Sequence, residues 1–167
     1  MAEPLRRFPS VLCVGGLVLS LLLPGVAAMA ELRDLVRGIH PSILTDRGLD
    51  AAVSALAGRS PVPVAVSVDL PRRPPAAAET AAYYVVAEAL TNVAKHAGAR
   101  EATVEIARDG DDLVVEVTDD GRGGALRAPG SGLEGIGQRV DALGGRLELQ
   151  SPSGGPTKLK AVIPCEL

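Results

Sequence analysis

The sequence predicts an α/β fold, a mixed sheet with helices packed on one face, from three observations. Strand-like and helix-like patterns alternate along the chain after residue 30. An apolar fraction of 47% in 167 residues supports one domain of ordinary size plus an appendage, but not a second full domain. With no Trp, one Phe and two Tyr, the core has to be built from Ala, Val, Leu and Ile. The same composition excludes some functions. Aromatics make up 2% of the chain, too few for the stacking platforms that hold single-stranded nucleic acid. Lys and Arg number 17 against 20 Asp and Glu, a net charge of -3 with no basic run, so the electrostatic footprint of a nucleic-acid binder is missing. Cys13 and Cys165 exclude a disulfide framework, lack metal-ligand spacing and read as small apolar side chains.

Residues 1–30 are the appendage. Positions 11–30 carry no charge and follow Arg6 and Arg7. The basic start, the apolar run over 11–23 and the Ala28-Met29-Ala30 triplet fit a secretory signal. About 20 apolar residues also suffice for one membrane span. A foreign or truncated start is the third reading.

The body then runs in order. Residues 31–38 read as the end of a helix, stopped by Gly38 and by Pro41, which disfavours a helical His40. Thr45 can cap a helix over 45–56, with Leu49, Val53 and Leu56 on one face. Val62, Val64, Val66, Val68 and Leu70 alternate as in a strand, which the Pro-Arg-Arg-Pro-Pro breaker at 71–75 ends. Residues 79–97 contain no Gly or Pro and are long enough for five helical turns. Strands over 103–107 and 113–118 flank a hairpin turn at 109–112. A Gly-rich loop over 119–132 precedes a short helix over 133–143. Strands over 146–150 and 159–163 close the chain around a turn at 151–155, and there are no internal repeats.

Three polar sets stand out. Glu88, Asn92, Lys95 and His96 fall at i, i+4, i+7 and i+8, on one face of the long helix. Such a face is ordinarily just solvated. It also has the chemistry of a site: a carboxylate and an amide oxygen one turn apart can hold a hard cation or its waters. A lysine one turn further on can meet phosphate oxygens as a point charge. The second set is Asp119-Asp120-Gly121-Arg122-Gly123-Gly124, directly after a strand. It reads either as a surface turn or as a place where backbone approaches a ligand and an acid accepts from an amino group. The third, Gly130-Ser131-Gly132-Leu133-Glu134-Gly135, matches G-x-G-x-x-G. The dinucleotide-binding reading fails on context, because about ten loop residues separate this segment from the preceding strand and no long parallel sheet follows. A helix N-terminus that favours phosphate, beside mobile glycines, survives.

In this order and spacing the segments resemble the ATP-binding catalytic domain of sensor histidine kinases, in the superfamily shared with gyrase and heat-shock chaperones. E-A-L-T-N-V-A-K-H-A at 88–97 matches the asparagine box, D-D-G-R-G at 119–123 the first glycine box and G-S-G-L-E-G-I at 130–136 the second. L-G-G-R-L-E-L-Q-S-P-S-G-G-P-T at 143–157 follows the family too, with Thr157 in the place of its closing Gly-Thr element. L-R-D-L-V-R-G-I-H-P-S-I-L-T-D-R-G-L at 32–49 resembles the end of the dimerisation domain in kinases that partner helix-turn-helix response regulators.

The resemblance implies a two-layer α/β sandwich whose mixed sheet is mostly antiparallel, preceded by a short helical stub and the N-terminal apolar segment. Its divisions are 1–30, the apolar segment; 31–58, the end of a dimerisation helix and a connector; and 59–167, the ATP-binding domain. ATP and Mg²⁺ are the implied cofactors. Asn92 would ligate Mg²⁺, and Glu88 would orient a metal-bound water or assist proton transfer. Lys95 with His96 would face phosphate oxygens. Asp119 would accept from the adenine amino group, with Gly121 and Gly123 leaving room for the base. Gly130, Gly132, Leu133 and Gly135 would belong to the lid, and Thr157 would close the site. The implied partners are a response regulator and a phosphoacceptor dimerisation domain, within a homo- or heterodimer and without nucleic acid.

The family also requires an acceptor histidine followed by an acidic residue. His96 belongs to the asparagine box, and His40 is followed by Pro41, so neither fits. The expectation is therefore a kinase catalytic domain that is either a truncated fragment or a partner acting on a histidine in another chain. A non-catalytic nucleotide-binding module and an anti-sigma-type serine kinase are the alternatives, and the 31–49 resemblance counts against the latter. Because ATP is intracellular, a tether through 11–30 with the domain inside, or a truncated start, fits better than export.

Overall fold

The computed structural model describes residues 42–165. The apolar segment, the helix over 31–38 and His40 lie outside the described residues. The chain order is α1 (Ser42–Ala57), β1 (Val64–Asp69), α2 (Ala76–Asn92), a π-helix (Val93–Ala97), β2 (Ala102–Asp109), β3 (Asp112–Asp119), α3 (Gly132–Asp141), β4 (Arg146–Gln150) and β5 (Thr157–Pro164). Among the described residues, no helix is long and apolar enough to cross a membrane.

The strands form one sheet in the order β1-β2-β3-β5-β4. β1 and β2 are parallel, as a crossover through α2 requires, and every other pairing is antiparallel. Alternation sorts the two faces. Val104 pairs with Val66 and Val117, and Val117 pairs with Leu159, so one face is a continuous aliphatic layer. Thr103, Glu105 and Ala107 point the other way and are exposed, and Glu116 pairs with Lys158 on that outer face. All three helices lie against the aliphatic face, the expected two-layer arrangement.

α2 is the centre of the helical layer and packs on α1, α3, β3 and β5. Its buried stripe is mostly small: Ala78, Ala81, Ala82 and Ala89 accompany Val85, Val86 and Leu90. Small side chains let α2 lie close to the sheet, so a core without large aromatics fills at ordinary density.

α1 differs from the helix expected over 45–56. Gly48, at φ 79° and ψ -177°, breaks it into two segments, and Thr45 lies inside the first rather than at a cap. The break is held from α2. Glu79 is 3% exposed, and its Oε1 accepts the Leu49 amide at 3.1 Å. Arg73 donates to both Glu79 oxygens at 2.8–3.2 Å and to the Leu44 and Thr45 carbonyls at 2.7 and 3.2 Å. The Glu79 hydrogen bond, and then its charge, raises the Arg73 guanidinium above its ordinary value. Arg73 and Glu79 thereby tie the first helix to the start of the second.

Candidate functional site

The period-two burial of β3 places its last residue, Asp119, on the inner face, where it is 6% exposed. Its register neighbours are Ala102 and Thr157. Asp119 Oδ1 accepts the Gly121 amide at 2.9 Å, which turns the chain sharply away from the strand. A Cβ at Gly121 would stand 2.6 Å from that oxygen and 2.6 Å from the Ala97 carbonyl, so only glycine fits there. Gly123 has φ +60°, and a Cβ on it would run into the Pro152 carbonyl.

Asp120, one residue on, faces outward. Its carboxylate accepts the Arg100 and Glu101 amides at 2.7 and 3.1 Å and Arg100 Nε at 3.1 Å. The Glu101 amide foremost, and then the Arg100 amide, hold this carboxyl below the usual carboxylate range.

Glu88 and Asn92, both half-buried, end the regular part of α2 one turn apart. The α-helix expected to reach Ala97 stops at Asn92, and a five-residue π-helix takes over. Its i→i+5 hydrogen bonding widens the turn, so Lys95 and His96 leave the α-helical phase that would have aligned them with Glu88. Val93 and Ala97 stay buried while Lys95 and His96 are exposed. Gly98, at φ 62°, closes the segment in the left-handed conformation.

The loop after β3 leads into α3. Ser131 caps it, its Oγ accepting the Glu134 amide at 3.1 Å. A Cβ at Gly132 would overlap the Glu88 carboxylate, so the helix start stands directly against the α2 acid. Gly130, at φ +77°, stays in the loop, whereas Leu133 is buried and Gly135 lies on the exposed side of α3. Thr157 Oγ1 and Ser151 Oγ are 2.9 Å apart, and Ser151 Oγ accepts the Ala125 amide at 2.9 Å. Thr157 thus reaches the loop through Ser151.

Two side chains at this site escaped the sequence reading. Ser151 reads as part of an ordinary turn. Arg127 donates to Glu134 Oε2 at 2.8 Å and to Asp141 Oδ2 at 3.1 Å, with its guanidinium against Gly137. The seven-residue, two-turn spacing of Glu134 and Asp141 around a glycine is the signal that could have shown it.

The donor set bears on the implied cofactors. Among the described residues, no group of three or more His, Cys, Asp or Glu could hold a metal ion. Glu88 and Asn92 offer one carboxylate and one amide, which leaves further positions to water and phosphate, as Mg²⁺ prefers. Asp119 supplies an acceptor at the rim of the apolar layer, suited to an amino-bearing base. The residues present fit a magnesium nucleotide.

A family model described as histidine kinase-, DNA gyrase B- and HSP90-like ATPase matches residues 77–167. The chain is 34% identical over 140 residues to the sensor histidine kinase NarS of Mycobacterium tuberculosis, covering 77% of this chain and 32% of that protein. It is 32% identical over 148 residues to the sensor histidine kinase MctS of Rhizobium johnstonii, covering 82% of this chain and 32% of that protein. The solved histidine kinase domain from the Erythrobacter litoralis EL346 blue-light activated histidine kinase superposes with a TM-score of 0.53 at 27% identity, over 70% of this chain and 57% of that one. The chain therefore spans about a third of the length of the curated relatives it matches.

Proposed function

The chain belongs to the histidine kinase-, DNA gyrase B- and HSP90-like ATPase family, and from that premise we propose that it is the ATP- and Mg²⁺-binding catalytic domain of a sensor histidine kinase. The observation that carries the proposal is convergence. The Glu88 carboxylate stands against the start of α3 at Gly132, while Gly121 packs between Asp119 and the end of the π-helix.

In this reading Asp119 accepts the adenine amine, and the space beside Gly121 and Gly123 admits the base. Asn92 would hold the metal through its amide oxygen, and Glu88 would orient a water beside it or move a proton. Lys95 and His96 face phosphate oxygens. The loop with Gly130, Gly132, Leu133 and Gly135 covers the phosphates from the N-terminal end of α3, and Thr157 braces that loop through Ser151. Bound ATP supplies the phosphoryl group, and Mg²⁺ supplies the charge that offsets its oxygens. The chain's own contribution is positioning and charge neutralisation. The acceptor is a histidine on a phosphoacceptor dimerisation domain, from which a response regulator is then served. Such a domain works where ATP is, on the inner side of the membrane, and residues 11–30 are the candidate tether.

Incubating the full chain with γ-labelled ATP and Mg²⁺, with and without a separate phosphoacceptor dimerisation domain, tests the proposal. Acid-labile label is expected on the added domain and is lost with Asn92→Ala. Nucleotide binding without transfer would identify a non-catalytic module instead, and label on serine would identify a serine kinase.

A further inference from the structure

We infer that Arg122 is a positioning residue for the phosphate end of this site, one that holds the backbone under Lys95 and His96; the inference rests on the nucleotide reading above. Arg122 joins three segments. Its Nε donates to the His96 carbonyl at 2.9 Å. Its amide donates to the Ala97 carbonyl at 2.9 Å, and its own carbonyl accepts the Gly154 amide at 2.7 Å.

The need for such a clamp comes from the π-helix. The last carbonyls of any helix lack partners within it, and a five-residue wide turn has no length over which to average out distortion. Here the final two carbonyls, of His96 and Ala97, are both taken by Arg122, one by the side chain and one by the backbone. On the far side of Gly98, Asp120 takes the Arg100 and Glu101 amides. Residues 96–101 are gripped from both ends by the segment whose first residue, Asp119, faces the ligand site. Lys95 and His96 are exposed, so the backbone beneath them sets where they stand. The Asp-Asp-Gly-Arg-Gly run therefore has a second task besides receiving a base. Through Arg122 it registers the phosphate-facing side chains against the base-facing aspartate.

Calorimetry on the full chain with Mg²⁺-ATP and with adenosine, which has no phosphates, tests this. Arg122→Ala is expected to weaken Mg²⁺-ATP about fivefold, the size of one exposed charge-assisted hydrogen bond, while adenosine affinity stays unchanged. In a Lys95→Ala/His96→Ala background, Arg122→Ala is expected to have no further effect, because nothing is left for it to position. Arg108→Ala removes an equivalent bond, from Arg108 Nε to the Gly110 carbonyl at 3.0 Å in the distant hairpin, and is expected to change neither affinity. An unchanged Mg²⁺-ATP affinity in Arg122→Ala would overturn the inference, as would an equal loss for adenosine. The full fivefold loss persisting in the Lys95/His96 background would show direct contact with the ligand and overturn it too. If the unsubstituted chain binds neither ligand, the nucleotide reading itself falls, and the inference with it.

Discussion

Asp119 and Asp120 are chemically identical neighbours in opposite surroundings, and strand alternation separates them. Asp119 ends the buried face of β3, 6% exposed, and Asp120 turns out to hold the Arg100 and Glu101 amides. A carboxylate beside the base attracts an exocyclic amine and repels a carbonyl, so Asp119→Asn is expected to weaken ATP about tenfold and GTP much less, which competition binding measures. Equal losses for the two nucleotides would contradict the role given to Asp119. Asp120 makes a pH prediction. Its folded value lies below the ordinary one, so its clamp is complete above the usual carboxylate range and is lost as pH falls through the lowered value. The Arg100 and Glu101 amide resonances are expected to titrate below the usual carboxylate range, and Asp120→Asn should abolish that transition. The end of a strand at Asp119 and the turn at Gly121 were legible in the sequence. Arg73, Glu79 and Ser151 were not, because their partners are distant in the chain or lie in an unremarkable turn, and nothing in local spacing announces them.

At the scale of elements, all five strands among the described residues stand where the sequence reading put them, and in β1 the alternation of Val and Leu is a direct imprint of a sheet with one buried face. Helix ends were less legible. Nothing in residues 93–97 distinguishes a π-turn from a continuing α-helix by propensity; the widened turn keeps Val93 and Ala97 buried, and its His96 carbonyl accepts from Arg122. The break at Gly48 was not read from the sequence either, and it is held by Glu79, 31 positions later, whose Oε1 accepts the Leu49 amide and lies 3.5 Å from where a Gly48 Cβ would be. Glu79→Gln keeps the shape and removes the charge. It is expected to destabilise the fold by about 2 kcal/mol in urea melts, the order for a buried hydrogen-bonded carboxylate. A change within error would show that the α1–α2 tie is not a structural restraint.

For the molecule as a whole, a core of small aliphatic side chains brings α2 close over the sheet, and the site forms where the C-terminal end of α2 meets the ends of β3 and β5 and the start of α3. Three polar segments that look like a solvated helix face, a turn and a loop come together in space only through that convergence, which is why their order carried more information than any one of them. The central claim is that this convergence binds a magnesium nucleotide. Its most direct measurement is the affinity of the full chain for ATP by calorimetry, with Mg²⁺ present and with Mg²⁺ chelated, in the unsubstituted protein and in Asn92→Ala. The account predicts that Mg²⁺ tightens binding at least tenfold in the unsubstituted protein and by less than twofold in Asn92→Ala, since Asn92 is the residue that would hold the ion. The same gain from Mg²⁺ in both proteins, or no ATP binding in either condition, would contradict it.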